Sequence, residues 1–427
     1  MIGHLIDSVR QRVAFADALV TADETITVSL GHSGEEVAQS VTRQTHLRVE
    51  DEGRIGSSTR ADGQAEGLIE SAILSARHGS EGRLLAPAPS PTPETFTAVP
   101  ATAALGVREL LGVARQLNDR LIRSERTVDV WAERSVGRVD VANTHGVMTG
   151  YDATVAGLGV HLSFRAGDST GDLRLHAAAN SVPDEPMLAE LVGEVEQRLS
   201  PPLLDRDPPA GPVNVWLSPR AVAAVLVPVC QALIGRNIWV SDGRSPFHAG
   251  EPLLSSRLTL HDDALAPARP GSRPVDDEGV VCRRQTLIRD GVLLGALADL
   301  ATAARLGIPP TGHGRRAAGA PAWTGWSNLV LDAGDAAEPE LARATGDGVL
   351  IRDLPHPVGR CDDGQVVLAT SWAYQVSGGE ITGRYERAVL KGNVFEWLNR
   401  VVAVGANAGW VGARCLPDLV VEGVEFP

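Results

Sequence analysis

Eleven histidines and four cysteines are the residues in this chain best suited to holding a metal or moving a proton. A helical metallopeptidase site sets two histidines on one helix face, with a glutamate beside the first as general base. That spacing lets all three side chains reach one ion and its water. No histidine here is followed by glutamate, so this chain does not carry that arrangement. The nucleophile elbow GxSxG, the phosphate loop GxxxxGK and the dinucleotide fingerprint GxGxxG are absent as well. Cys230, Cys282, Cys361 and Cys415 are widely spaced and form no CxxC pair, which matches neither a zinc finger nor a disulfide framework. His356 and Cys361 stand five apart in a Pro/Gly loop, where an exposed histidine and a semi-buried thiol are the ordinary occupants.

Other polar residues admit two readings each. Asp276-Asp277-Glu278 offers an acidic pair for acid–base work, or an acidic turn in which Gly279 supplies the tight bend. His313 is either a substrate-groove contact or a loop histidine bonded to nearby backbone. Ser327 and Asn328 stand in the same position: Asn328 can hold a peptide backbone or cap a turn. Trp323 and Trp326, in a Gly/Ala/Pro-rich stretch, suit a partner interface or core packing equally.

The elements that must position these residues fall into two halves. A Pro-rich stretch at 200–212 separates them, and the predicted domains are 1–205 and 212–427. In the first half, alternation over Thr25–Leu30 predicts a half-buried strand. Helical spacing predicts helices over Gln64–His78, Arg108–Ile122 and Met187–Leu199. Four strand-like runs near Val128–Ala132, Arg138–Ala142, Thr154–Ser163 and Asp172–Ala179 suggest an antiparallel meander. In the second half, a strand at Val213–Leu217 leads into an almost wholly apolar helix, Arg220–Leu233, that is interrupted by Pro228. A β-rich region follows, with a further helix at Val394–Val402. The fold class expected is α+β: two lobes, mostly antiparallel sheets with packed helices.

Bulk properties narrow the function. A net charge of −14 with no Lys/Arg run argues against nucleic acid and against an anionic membrane surface. Residues 1–20 contain Asp7, Arg10, Arg12 and Asp17 and lack a signal-like apolar run, and no stretch reaches about 18 apolar residues. With the scattered cysteines, this gives a cytoplasmic expectation. Aromatics make up only 4% of the chain, so Val, Leu and Ala must build the core.

One ordered set of motifs fills the second half: Asp276-Asp277-Glu278-Gly279, Asp290-Gly291-Val292-Leu293, the segment from Leu297 to Arg305-Leu306-Gly307, Thr311-Gly312-His313-Gly314, Ser327-Asn328-Leu329 and Leu390-Lys391-Gly392-Asn393. Their order and spacing resemble the TldD/TldE (PmbA) family. Leu47-Arg48-Val49 through Gly56 and Asn143-Thr144-His145-Gly146 give weaker echoes in the first half. In that family, TldD-type chains carry HExxxH on the helix after the domain boundary and a third zinc ligand near the C-terminus. TldE-type chains lack the motif and pair with TldD. Residues 221–232 read AVAAVLVPVCQA, which resembles the TldE type.

The resemblance therefore implies a non-catalytic TldE-like subunit with no catalytic, cofactor or metal residue of its own. Zinc would sit in a TldD-type partner within a heterodimer that hydrolyses amide bonds in small or unfolded peptides. This chain would close the active-site chamber, with His313, Ser327 and Asn328 as weak groove candidates. The alternatives are a silent homodimeric peptide- or metabolite-binding protein and a subunit repurposed for specialised-metabolite biosynthesis.

Overall fold

The computed structural model describes residues 2–61, 67–166, 169–235, 237, 248–317, 320–359 and 361–427. The first half contains α1 (Ile2–Arg10), β1 (Phe15–Gly31), β2 (Gly34–Asp51), β3 (Arg54–Ala61), α2 (Leu68–Arg77), α3 (Pro100–Ala103), α4 (Val107–Leu121), β4 (Arg126–Asn143), β5 (Met148–Ala166), β6 (Ser169–Ala179) and α5 (Glu185–Leu199). Its strands form one antiparallel sheet in the order β3-β2-β1-β4-β5-β6. Side chains alternate between the two faces of a strand. On β1, Ala16, Ala18, Ile26 and Val28 therefore meet the helices, while Asp17 and Leu19 face away from them. α4 and α5 bury Leu110, Leu117, Leu121, Leu188 and Leu191 against Val28, Val130, Leu158 and Val160.

Several strands differ from the sequence reading. Val128–Ala132 and Arg138–Ala142 belong to one 18-residue strand, β4, because Gly137 does not break it. Gly137 lies opposite Asp23, whose carboxylate fills the place a Cβ would take, so the glycine serves close approach between strands rather than a turn. β1 extends well beyond Thr25–Leu30. The predicted helix at Gln64–His78 is α2, and its first three residues lie outside the described ones.

The second half contains β7 (Gly211–Leu217), α6 (Pro219–Ala232), β8 (Leu260–Asp263), β9 (Arg284–Arg289), β10 (Val292–Leu293), α7 (Leu300–Leu306), β11 (Gly314–Arg315), β12 (Trp323–Thr324), β13 (Leu329–Leu331), α8 (Glu338–Thr345), β14 (Gly348–Ile351), β15 (Gln365–Thr370), β16 (Ala373–Ser377), β17 (Glu380–Arg384), β18 (Ala388–Asn393), α9 (Val394–Asn399), β19 (Val401–Trp410) and β20 (Arg414–Phe426). Twelve of these strands form one mixed sheet, in which β7–β14 and β13–β20 run parallel. α6 lies in the core on one face, with ten of its fourteen residues buried. α8 covers part of the other face, over Trp216, Leu350 and Val420. α6 continues through Pro228. A mid-helix proline loses one hydrogen bond and costs roughly 3 kcal/mol, which the burial of Val222, Val225, Leu226 and Val229 at about 1.5–3 kcal/mol each outweighs. α9 stops at Asn399, and Val401 and Val404 turn their β-branched side chains into β19 instead of prolonging the helix. The structure is α+β and dominated by antiparallel pairing, as the patterning implied.

Candidate functional site

His313, Ser327 and Asn328 all lie buried in the interior of the second half. His313 Nε2 is 3.0 Å from Asp262 Oδ1, and its Nδ1 is 2.9 Å from Thr311 Oγ1. The Ser327 N–H donates to the other oxygen of Asp262 at 2.7 Å. Asn328 accepts from the Gly271 N–H at 3.1 Å and donates to the Asp263 carbonyl (2.8 Å) and to Ser272 Oγ (3.0 Å). The His313 and Asn328 side chains and the Ser327 backbone N–H join the segments around 262–272 and 311–328, and Ser327 Oγ accepts from Arg315 at 3.3 Å. Trp323 is 38% exposed, and Trp326 packs against the core.

The acidic turn is also buried, and it forms part of the contact between the two halves. Gly279 takes φ +83°, the conformation the turn requires. Asp276 accepts backbone N–H bonds from Glu278 (3.0 Å), Val280 (2.9 Å) and Gly314 (2.7 Å). Arg48, on the face of the first sheet that turns away from its helices, donates to Asp17 at 2.5 Å and to Glu278 at 3.1 Å. Arg316 closes the network on Asp17 at 3.0 Å. Burial raises the Asp17 carboxyl, but the two guanidinium groups outweigh it and leave its pKa lowered. Burial and the neighbouring Glu278 push Asp276 up to about 7, against the three N–H groups that favour its charge.

The sign of the resulting pH dependence follows from linkage. The fold favours protonated Asp276, so its contribution is fully present below its ordinary value of 3.8 and is lost as pH rises through about 7. Asp17, with its pKa lowered, acts below that window. The Asp276 contribution to unfolding free energy should therefore decline between about pH 4 and pH 7, and Asp276→Asn should remove that component of the slope in denaturant titrations. An unchanged slope would refute the assignment.

The helix α6, which follows β7, offers no donor set for zinc. Along α6, positions 221–232 present Ala, Val, Leu, Pro, Cys and Gln. Cys230 lies in an apolar cluster, where burial pushes its thiol up to about 12 and keeps it from becoming a thiolate ligand. Cys361 turns onto Gln231, with its N–H and Sγ at 2.9 and 3.5 Å from Oε1, rather than toward His356. Among the described residues no group of three or more His, Cys, Asp and Glu gathers where it could hold an ion. The described residues do not fit a peptidase zinc site.

A cavity of about 500 Å³ opens between α5 of the first half and the second sheet. Its walls include Glu194 and Arg198 from α5, Trp216 and Ser218 from the end of β7, Arg220, Glu338, Arg352, Trp410 and Asp418. Arg198 is 1% exposed and bonds Glu194 (2.7 Å) and Asp353 (3.0 Å), and Arg220 bonds Glu194 at 2.6 Å. Sequence reasoning singled out none of these residues. One signal was available: Arg352 directly follows Gly348–Ile351, a strand whose four residues are all buried, so the charge stands at a core edge.

The family model for the "PmbA/TldA metallopeptidase C-terminal domain" matches residues 210–427. The chain belongs to the PmbA/TldD family. A metalloprotease TldD homolog of Haemophilus influenzae is 33% identical over 162 residues, 36% of this chain and 32% of that protein. The metalloprotease PmbA of Escherichia coli O157:H7 is 25% identical over 233 residues, 48% of each chain. The matched stretch thus spans about a third of the length of the first of these relatives and about half of the second. TldE from Thermococcus kodakarensis has the same fold, with TM-score 0.87, 19% identity, and 100% of this chain and 99% of that chain covered. A Thermotoga maritima protein aligns as fully, with TM-score 0.88 and 19% identity. At such identities the likeness shows the fold alone.

As a PmbA/TldD member, the chain has most of its sequence motifs inside the matched C-terminal region, from Asp276 to Asn393. The acidic turn, the Thr311–Gly314 loop and Ser327-Asn328 all bond within the fold in that region. The cavity is walled by the same region, from Trp216 to Asp418, where it meets α5. No helix among the described residues is long and apolar enough to cross a membrane.

Proposed function

We propose that this PmbA/TldD-family chain is a non-catalytic, TldE-like subunit that pairs with a TldD-type chain to form a peptidase acting on small or unfolded peptides in the cytoplasm. One observation carries the reading: the helix after the domain boundary holds no His, Asp or Glu over 221–232 and is buried along most of its length. A catalytic helix must point polar ligands into a cavity, whereas a structural helix can be apolar throughout. The zinc and the general base therefore belong to the partner.

In this reading the chain walls the active-site chamber and helps hold the peptide. The outer edge of β2 over Gly34–Thr42 supports that role. β3 pairs with β2 only from Gln44 onward, so among the described residues the preceding stretch has β1 on one side and no strand on the other. Such an edge can take up an extended peptide through main-chain hydrogen bonds.

The test is zinc content and peptide hydrolysis, measured on this chain alone and after mixing with a TldD-type chain. The expected result is no activity alone and about one zinc per pair in the active complex. Near-stoichiometric zinc together with hydrolysis in the isolated chain would overturn the proposal.

A further inference from the structure

The cavity between α5 and the second sheet has a floor set by strand register. β14 pairs with β7 in parallel, Ile351 beside Leu217, and β20 pairs with β7 antiparallel, Leu419 beside Leu217. One residue further on, Arg352 and Asp418 flank Ser218, whose hydroxyl donates to the Arg352 carbonyl at 2.7 Å. Neighbouring strands are about 4.8 Å apart, so Arg352 and Asp418 stand roughly 10 Å apart at the backbone, on one face, with Ser218 between them.

The charges on this floor are unusual for their burial. Arg198 and Arg220 on the same walls are paired with carboxylates. Arg352 is not: its guanidinium donates to Gln197 Oε1 at 3.1 Å and lies 5.7 Å from the centre of the Tyr374 ring, with no carboxylate at ion-pair distance among the described residues. Asp418 accepts the Trp216 indole N–H at 2.6 Å and has no cation at that distance. Both groups are partly withdrawn from water, which lowers the Arg352 pKa and raises that of Asp418. Each group feels the other's charge across the floor without closing an ion pair, and a ligand bearing the complementary charges supplies the missing partners.

We propose that this cleft binds a short zwitterionic peptide of two or three residues, with its carboxylate on Arg352 and its ammonium on Asp418. An extended dipeptide or tripeptide spans about 7–10 Å, the scale of the backbone spacing between these two positions. A volume of about 500 Å³ suits a ligand of this size. The proposal takes from the preceding reading only that peptides are what the protein handles. It requires neither the partner nor the metal.

The experiment is calorimetry on the isolated full chain with Ala-Ala and Ala-Ala-Ala, their N-acetylated forms, their C-amidated forms, and inorganic phosphate. Free peptides should bind, and blocking either end should weaken binding about tenfold or more, the loss of one charge-assisted contact. Arg352→Gln should abolish the penalty for amidation while keeping that for acetylation. Asp418→Asn should do the reverse. This crossed pattern separates a binding role from simple loss of folding, which circular dichroism checks in parallel. Absence of binding by the free peptides, equal binding of blocked and free forms, or phosphate binding as tightly as the tripeptide would each overturn the proposal. Peptidase activity with a TldD-type chain, in the absence of binding here, would overturn the cleft assignment alone. Binding here without such activity would overturn the subunit reading alone.

Discussion

Replacing Arg48 with alanine should cost about 3–5 kcal/mol of folding stability, the usual loss when one partner of a buried ion pair is removed. Arg48 bridges Asp17 of the first sheet and Glu278 of the acidic turn, whose side chains are only 5% and 4% exposed. Asp17 would keep Arg316, but Glu278 would keep only the Leu300 N–H at 2.9 Å and would be left as a buried charge with no cation. The contact joins residues 230 apart, so its loss should weaken the docking of the two halves as well as total stability. Denaturant unfolding followed by tryptophan fluorescence checks this. Adding Glu278→Gln to the Arg48 variant should recover part of the loss, because no charge is then stranded. A single-variant effect below about 1 kcal/mol would place this network with surface ion pairs.

Asp262→Ala is expected to have a comparable effect, about 2–5 kcal/mol, and to do so without touching ligand binding. Asp262 is completely buried and receives both His313 Nε2 and the Ser327 N–H. Removing it leaves a histidine nitrogen and a backbone donor unsatisfied in the core. Asp262→Asn should retain more stability than alanine, because its carbonyl oxygen can still accept one of the two bonds. If the alanine variant kept full stability but lost peptide binding, the groove reading of His313 and Ser327 would return.

How much of this was legible in the sequence depended on the range of the interaction. α4, α5 and α6 could be read from apolar spacing within single segments, and the structure places them within a residue or two of the expected ends. The acidic turn was legible as a turn because Gly279 and Asp276 act within five residues of each other. Its ion partners were not, since Arg48 and Asp17 meet it only after both sheets have formed. The division of β4 into Val128–Ala132 and Arg138–Ala142 failed at Gly137, because glycine marks both turns and close strand approach and only the Asp23 carboxylate opposite it decides which. The cavity floor was the least legible part. Asp418 lies in β20, and Ser218 and Arg352 lie one residue past β7 and β14; nothing local in any of these segments fixes the register that aligns them.

The unpaired half of β2 also has an energetic meaning. From Glu35 to Arg43 every residue is exposed, including Val37 at 52% and Val41 at 73%, and the only described strand alongside is β1. This arm buries almost no apolar surface of its own, so its order depends on the hydrogen-bond ladder to β1 and on exposed side-chain contacts such as the Glu35–Arg115 ion pair to α4 at 2.7 Å. Opening it leaves the α4 core intact and requires far less than the free energy of global unfolding. The protein thus keeps a locally cheap, separable segment on an otherwise cooperative sheet, at the place where a second strand has room to be added.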